Sequence, residues 1–453
     1  MDYPIWDIAI GGGVLMGIVA ITHVIVSHFA IGGGLLIAVT ETLAVRRNDS
    51  EMRDLAKRSS LVLILFSTVF GAISGVGIWV VAGLISPAAI SALIRNFVWG
   101  WAIEWVFFIV EIVAALVYFA TWNKISKRAH VMVIWIYFIA AYLSLVIING
   151  IVTFMLTPGK WLQTGAFWDG FFNPTYFPSL LLRTGIAILM AVAFMVWPAR
   201  KASAEARPRL NRYLGLWAVV GALISYAGYR WWESALPEST RDLFLGDGAL
   251  LDGLAFTRHE VMWSVALFLV LSIIFLLALP KMAKVIPLLL ITIAAFSFFG
   301  SYERLREGTR KPFIIHDYMF SNGVLVDEIG ELNENGMLSK ARWAARVTST
   351  NSVEMGRQVF DAQCRSCHTI DGYLSIRELA PEDPDMTYSI LYALYDQGEM
   401  FTALEPGEAV AMGDLNYPFM PPFVGTEEEM EALVDFIASL TTPDGEAAAK
   451  GGV

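Results

Sequence analysis

The chain has 453 residues, of which 56% are hydrophobic and only 16% are charged, and its formal net charge is −10. Roughly a quarter of the residues in a soluble globular protein are charged, so this composition indicates a chain that folds in a lipid bilayer. The negative net charge argues against nucleic acid as a partner. The only two cysteines, Cys364 and Cys367, exclude a disulfide framework.

Long apolar segments predict the fold class. A membrane-spanning helix needs roughly 20 largely apolar residues. The sequence predicts eight such segments, at about residues 10–44, 60–88, 97–121, 131–156, 177–198, 213–231, 261–280 and 285–302. The first segment is too long for the core of a cleavable signal peptide, and no such peptide is evident. The predicted fold is all-α, a polytopic bundle of about eight transmembrane helices followed by a small helical domain.

The composition also divides the chain into regions. Charge rises and Asn, Gly and Glu appear after about Tyr302. We predict a membrane domain over residues 1–320, a linker over 321–350, a small soluble domain over 351–443 and a tail of disordered composition over 444–453.

The basic residues predict the orientation. The first, third, fifth and seventh connections are rich in Lys and Arg, whereas the even-numbered connections are poor in them. Because basic connections stay in the cytoplasm, eight spans place both termini outside. The prediction is a multi-pass protein of the bacterial cytoplasmic (inner) membrane, with the C-terminal domain on the periplasmic face.

The C-terminal region contains Cys364-Arg-Ser-Cys367-His368, a C-x-x-C-H motif of the kind that attaches haem c covalently. The alternatives are a chance match or a redox or zinc pair. A Pro-rich segment downstream holds Met420, and an amphipathic segment follows it. This order resembles a class I cytochrome c, which implies His368 and Met420 as the axial ligands of the iron. Haem is attached to such motifs outside the cytoplasm, in agreement with the predicted orientation.

Ionisable residues inside apolar segments are costly and therefore mark candidate sites. The first segment contains His23 and His28. Glu104 and Glu111 lie two turns apart on one face of the third. The bland interpretations are a histidine that hydrogen-bonds a neighbouring helix and glutamates that form a proton or ion path without a metal.

The end of the eighth segment is also charged and contains Glu307 and Arg310. Such a run is usually an interfacial anchor.

The membrane region resembles subunit I of the cytochrome bd quinol oxidases over about residues 10–315. The similar motifs are Ile21-Thr-His23-Val with Glu41-Thr, Ala102-Ile-Glu104 with Glu111, Lys127-Arg-Ala-His130, Ile148-Asn-Gly150 and Glu307-Gly-Thr-Arg310-Lys-Pro312. The resemblance implies a haem site with His23, Glu104 and Glu307 as iron ligands, haem b and/or haem d as the cofactor, and a second membrane subunit as a partner. The family's two acids are one residue further apart than Glu104 and Glu111.

The sequence departs from that family where the low-spin b haem binds. Arg183 stands where the family has a ligating histidine, and an arginine has no lone pair for iron. Met262 matches the partner methionine, but His259 is too near it on the same segment to ligate the opposite side of one iron. The family's quinol-binding loop is short here. We expect Arg183 to hold a haem propionate or a loop carboxylate instead.

Three functional hypotheses follow. The leading one is an oxidoreductase, a bd-like terminal oxidase subunit that reduces oxygen with electrons from cytochrome c, with Glu111 as a proton donor or helper ligand. The second is an electron-transfer subunit linking the quinone pool or a partner enzyme to periplasmic cytochromes. The third is a structural haem subunit of a larger complex. The expected partners are a second membrane subunit, a periplasmic cytochrome c or another respiratory complex, and membrane lipid, with quinone left open.

Overall fold

The computed structural model describes residues 3–245, 252–344, 351–403, 410 and 414–441. Long helices form the membrane domain, because apolar runs in the chain are far longer than a strand needs. These helices are α1 Gly12–Arg47, α2 Ser50–Ile64, α3 Ala72–Ile85, α4 Pro87–Ala120, α5 Lys127–Phe154, α8 Tyr176–Ala199, α9 Arg207–Ala235, α11 Asp252–Ser272 and α12 Val285–Gly308. Shorter helices in the loops are α6 Trp161–Thr164, α7 Phe167–Phe171 and α10 Glu238–Leu245.

Two of the long helices contain a wider, π-helical turn. Residues Leu65–Gly71 join α2 to α3, so that Ser50–Ile85 is one continuous helix, and Ile273–Ala278 extend α11. A third helix, α4, is bent at Phe97, whose backbone is not helical. Such π-helical turns are rare and often lie near functional sites, and the first of them faces α1.

Helix α1 is at the centre of the bundle and packs against α2, α3, α5 and α8. Its closest approach is to α8, at Gly32. A Cβ atom on Gly32 would lie 1.8 Å from the carbonyl oxygen of Ala187. Helix α8 crosses α9 as closely, because a Cβ on Gly185 would lie 2.4 Å from the backbone nitrogen of Ser225. Small residues therefore let the helix backbones touch, as is usual in membrane bundles.

Seven helices in the described part of the chain are long and apolar enough to cross a membrane. They confirm seven of the eight predicted spans. The exception is the predicted span at 213–231, which forms most of α9. This helix packs along α8, but it contains Arg207, Arg209, Arg212, Arg230 and Glu233 and is not among the seven. Helix α9 is less apolar overall because its apolar centre has charged ends, so the predicted sixth span lies on a helix that length and composition alone do not mark as membrane-spanning.

The C-terminal domain is built from α14 Ser352–Gln363, α15 Ile376–Leu379, α16 Pro384–Thr402 and α17 Glu427–Thr441. Its first and last long helices, α14 and α17, cross closely at Gly356, where a Cβ would lie 1.9 Å from the carbonyl oxygen of Ala432. Phe360 and Phe436 pack beside this crossing with ring centroids 5.6 Å apart. This packing of α14 against α17 forms the hydrophobic core of the small domain.

The segment between the domains is folded where the structure describes it. Residues 313–320 form a short antiparallel hairpin of β1 Phe313–Ile315 and β2 Met319–Phe320. Helix α13, Ile329–Asn335, follows, with 3₁₀ turns on each side of it at Val326–Glu328 and Met337–Lys340. Ile329 and Met337 are fully buried. The domain boundaries predicted at 320, 350 and 443 stay predictions, and the predicted tail over 444–453 lies outside the described residues.

The contact at Gly32 gives a testable prediction. We expect Gly32→Ala to lower the free energy of unfolding by about 1–3 kcal/mol, because the added methyl group collides with the α8 backbone. The matched control is Gly17→Ala on the same helix, where no atom lies within 4 Å of the added Cβ. Thermal unfolding in detergent, followed by circular dichroism, measures both. Equal melting temperatures for the two variants would contradict the assigned contact.

Candidate haem sites

The C-x-x-C-H motif begins where α14 ends. The backbone N–H groups of Cys367 and His368 donate to the carbonyl of Cys364 at 3.0 and 2.8 Å, which brings the two thiols and the imidazole together in one tight turn. The Nδ1 atom of His368 lies 3.0 Å from the carbonyl oxygen of Leu374. Nδ1 therefore carries the proton and Nε2 is left with its lone pair for iron. Burial lowers the pKa of His368, which favours the neutral imidazole that binds metals.

Met420 is held by the side chain of Gln397 on α16. The Gln397 amide nitrogen Nε2 donates to the carbonyl oxygens of Met420 at 3.0 Å and of Tyr417 at 3.3 Å, and Oε1 accepts from the Tyr417 N–H at 3.3 Å. Met420 and Cys364 pack against the same hydrophobic core. Two thiols, an imidazole and a thioether around one core fit a covalently bound haem c, although ligation by Met420 stays a prediction.

The motif also contacts the segment that precedes α1. Arg365, inside the motif, lies 2.9 Å from the carboxylate of Asp7 and also pairs with Asp361. Nearby, Gly372 lies against the backbone of Ala9, so closely that an added Cβ would be 1.7 Å from its carbonyl oxygen. Arg365 is 7% exposed. The attachment loop is therefore packed directly above the start of the helix that carries His23.

A second contact joins the C-terminal domain to the hairpin after α12. Phe401 of α16 meets the rings of Phe313 and Phe320 edge-on, with centroids 5.5 and 5.1 Å apart. Phe313 and Phe320 are stacked at 4.7 Å, and all three rings are buried. Phe401 belongs to the same continuous core as the membrane helices. The C-terminal domain thus contacts two segments of the membrane domain, the one that precedes α1 and the one that follows α12.

His23 on α1 faces α3. The Ser74 hydroxyl donates to the carbonyl of Phe70 at 2.5 Å, so its oxygen accepts from Nδ1 of His23 at 3.1 Å. Nε2 of His23 has no partner among the described residues. Gly75 provides space beside the ring, because a Cβ there would lie 3.1 Å from Cε1. An imidazole oriented through Nδ1, with Nε2 available, fits an iron ligand.

The two glutamates of α4 point towards α5. Ser144 donates to Glu104 at 2.9 Å, and the Tyr137 hydroxyl donates to Glu111 at 3.0 Å. Both carboxylates are therefore satisfied by neutral hydroxyl groups instead of by cations. A carboxylate held in this way keeps its second oxygen available for a metal or a proton.

Glu307 ends α12 and pairs with Arg310. Arg310 is 3% exposed, and its Nε atom has no partner among the described residues. A buried N–H without a partner fits an anionic group such as a haem carboxylate. The Glu307 side chain is 45% exposed, so it is also free to turn towards a ligand.

The structure does not bring His23, Glu104 and Glu307 into contact. Each has its own partner, and no group of three His, Cys, Asp or Glu side chains suited to one metal ion occurs in the described ranges. Two axial ligands on opposite sides of a porphyrin do not need to touch. Iron ligation by these three residues, and the role of Glu111, therefore stay predictions.

Arg183 lies in a buried ion-pair network that the sequence did not reveal. Its Nη2 atom is 2.9 Å from the carboxylate of Glu303 on α12, and Arg306 donates to the same carboxylate at 3.0 Å. On the other side, Nη1 of Arg183 lies 3.4 Å from Nε2 of His28. Arg183 and Glu303 are 5% and 8% exposed in their side chains. Arg183 is thus paired with a carboxylate on helix α12, whereas the sequence predicted a haem propionate or a loop carboxylate as its partner.

His28 and Glu303 form part of this network. His28 was singled out from the sequence, but Glu303 was not. His28 is buried, and its Nδ1 atom lies 2.7 Å from the carbonyl oxygen of Val24 on the same helix. Glu303 was overlooked, because its charged surroundings looked like an interfacial anchor. The available signal was a buried-charge argument, since an arginine inside α8 needs an acidic partner. His259 is exposed, and within the described part of the chain its hydrogen bond is to the carbonyl oxygen of Ala255 on its own helix.

A second buried group lies at the opposite end of α1. His130 contacts Glu41 at 2.7 Å and the Tyr118 carbonyl at 2.9 Å, while the Tyr118 hydroxyl donates to Glu41 at 2.7 Å. All polar atoms of this triad have partners, so it joins α1, α4 and α5 and needs no cofactor.

These features define a class of protein, a membrane helix bundle with haem-type ligand sets and a haem c domain. Comparisons with known proteins agree with this class. Residues 14–227 match the family of cytochrome bd terminal oxidase subunit I, and residues 353–441 match the cytochrome c family. No curated protein matches the sequence. The bd oxidase structure from Geobacillus thermodenitrificans has the same fold, with a TM-score of 0.59, 15% identity, and coverage of 69% of this chain and 89% of that chain.

The chain therefore contains an N-terminal domain of the cytochrome bd subunit I family and a C-terminal cytochrome c domain. It is a bd-like integral membrane protein whose C-terminal domain implies haem c. The family match ends at residue 227, so Met262 and the Glu307 motif lie beyond it.

The ion pair of Arg183 gives the second prediction. We expect Glu303→Gln to lower the free energy of unfolding by about 3–5 kcal/mol, because it leaves the buried Arg183 charge uncompensated. As a control, Asp54→Asn removes an exposed pair with Arg58 and should cost less than about 1 kcal/mol. Denaturation of both variants in detergent measures the difference. If Glu303→Gln is no less stable than the control, the network does not hold α8 to α12.

Proposed function

We propose that this protein is a membrane haem oxidoreductase, a bd-like terminal oxidase subunit that receives electrons from cytochrome c through its own C-terminal domain and reduces oxygen in the bundle. The observation that carries this proposal is the docking of that domain. It packs on the segment before α1, through Asp7 and Arg365, and on the hairpin after α12, through Phe401 and Phe313. These are the two helices that hold His23 and Glu307.

The residues would act as follows. Cys364 and Cys367 bind haem c covalently, and His368 and Met420 hold its iron. His23, Glu104 and Glu307 would hold the membrane iron or irons of haem b and/or haem d, with Arg310 on a haem carboxylate. Bound haems supply one-electron chemistry and, at an open iron, oxygen binding. Glu111, bonded to Tyr137, is placed to deliver protons or to assist ligation.

The network around Arg183 supports the change of electron donor. In the quinol oxidases that the sequence resembles, a histidine at this position binds the low-spin haem. Here the guanidinium is committed to Glu303 and His28. A side chain with no lone pair, already paired on two sides, leaves no iron ligand at this position. The cytochrome c domain would take over the role of that haem.

The location and partners follow from the same proposal. With α9 counted as the sixth span, the basic connections would put the cytochrome c domain on the periplasmic face of a bacterial inner membrane. Exposed apolar side chains cover α2, α3 and α4, including Ile73, Val76 and Trp105. We assign this surface to lipid and to a second membrane subunit. A periplasmic cytochrome c or another respiratory complex would supply electrons, and a quinone site remains unassigned.

A specific observation favours a second candidate, an electron-transfer subunit without oxygen reduction. Glu307 is paired with Arg310, and the described residues form no cluster of three metal ligands. A membrane haem with two firm ligands would then pass electrons between the quinone pool or a partner enzyme and periplasmic cytochromes.

One optical experiment separates the two functions. Pyridine haemochrome analysis of the purified protein counts the haems, and a carbon monoxide difference spectrum tests for an open iron. A haem c together with a membrane haem that shifts with carbon monoxide is expected. Membrane haems whose spectrum does not change with carbon monoxide would favour the electron-transfer subunit. A haem c alone would overturn both readings and leave the bundle as an anchor.

The proposed ligand on α1 can be tested by mutation. We expect His23→Ala to remove the b- or d-type absorbance and leave the haem c absorbance unchanged, because only the membrane iron loses its ligand. His259→Ala is the control, since His259 is exposed and its hydrogen bond, among the described residues, is to Ala255 on its own helix. An unchanged membrane-haem spectrum in His23→Ala would refute the assignment of His23.

A further inference from the structure

The cytochrome c domain is far more acidic than the rest of the chain. Residues 351–441 contain 17 Asp and Glu against three Arg and no Lys, whereas the remainder contains 25 acidic and 29 basic residues. The negative charge of the protein is therefore concentrated in this domain. A charge of one sign steers partners of the opposite sign and raises their association rate.

Part of this surface is also aromatic. Tyr388, Tyr392 and Tyr395 lie on successive turns of α16 and stack in a row, with neighbouring centroids 6.3 Å apart and planes within 27° of parallel. We call this row the tyrosine face. Tyr392 is 50% exposed. Exposed tyrosines are over-represented at protein interfaces, because they offer a large contact area with little loss of side-chain entropy.

Exposed carboxylates lie beside the tyrosine face: the charges of Glu427 and Glu431 act on Tyr388, and Glu428 is their neighbour on α17. Glu427, Glu428 and Glu431 are exposed at the start of α17. Partial desolvation raises the pKa of Tyr388, and the charges of Glu427 and Glu431 raise it further. The same holds for Tyr395, near Glu399 and Asp396. Within the described ranges, none of these carboxylates forms an ion pair with Lys or Arg. The rim of the tyrosine face is therefore an uncompensated negative surface.

The tyrosine face leads directly to the candidate haem c site. Tyr388 and Tyr395 are partly buried and pack against the core that also contacts Cys364 and Met420. Gln397, two residues after Tyr395 on α16, donates to the carbonyl oxygen of Met420. Phe401, at the end of the same helix, is buried against the membrane domain. Helix α16 thus carries the tyrosine face, the hydrogen bond to the loop of Met420, and the contact of Phe401 with the membrane domain.

We propose that the tyrosine face and its rim of Glu427, Glu428 and Glu431 form the docking surface for a soluble electron-carrier protein with a basic surface. Lysine and arginine side chains of the carrier would meet the rim, and its apolar patch would meet the tyrosines. This surface deepens the proposed function, on which it rests, because it names the class of partner. Charge complementarity selects a basic protein over an acidic one.

Binding tests this proposal without turnover. The full-length, haem-loaded protein in detergent is titrated, oxidised and without reductant, with a strongly basic soluble c-type cytochrome and, separately, with an acidic one. We expect only the basic cytochrome to bind, with an affinity that falls as salt rises. The triple variant Glu427→Gln, Glu428→Gln, Glu431→Gln should raise its Kd about tenfold at low salt and flatten the salt dependence.

A matched control separates the docking surface from the general charge. The variant Glu354→Gln, Glu378→Gln, Glu382→Gln removes the same charge outside the rim, from the exposed Glu378 and Glu382 and the partly exposed Glu354, and should change Kd by less than about threefold. Tyr392→Ala should speed dissociation with the haem c spectrum unchanged. Equal loss in both triple variants, or equal binding of the acidic cytochrome, overturns the proposal. Because oxygen takes no part in the titration, a failure of oxygen reduction is scored separately by the carbon monoxide spectrum.

Discussion

The buried pair of Arg183 and Glu303 is the constraint on which the arrangement of the bundle depends. An unpaired charge in an apolar interior costs several kcal/mol, so the two side chains must stay together. Their pairing fixes α8 against α12, and the contact to His28 adds α1 to the same point. Because α1, α8 and α12 meet at this point, the start of α1 and the end of α12, which lie next to the cytochrome c domain, are also fixed relative to each other.

Much of this architecture could be predicted from the sequence, because the signals were local. Apolar length located seven of the spans, and the C-x-x-C-H motif located the haem c domain. Helix α9 differs from these because charged residues flank its apolar centre, so length and composition alone do not mark it as a span. The partner of Arg183 could not be predicted, because pairing across more than a hundred residues depends on how the helices pack and not on any spacing in the chain.

The candidate membrane site shows the same division. His23 was recognisable because a histidine in an apolar segment is rare, but its orientation by Ser74 and the space beside Gly75 come from α3. The segment at 321–344 looked like a linker, since its composition is polar. It is folded because a few of its apolar residues, such as Ile329 and Met337, are buried between the two domains.

The shared core has a consequence for how the protein could have arisen and how it could be divided. Phe401 belongs to one apolar core with the membrane helices, and it covers the rings of Phe313 and Phe320. Removing the C-terminal domain would expose the two stacked rings of Phe313 and Phe320 to water. The two domains are therefore not independent modules joined by a flexible linker, because each provides part of the other's interior, and replacing either domain would need an aromatic ring that fits this contact.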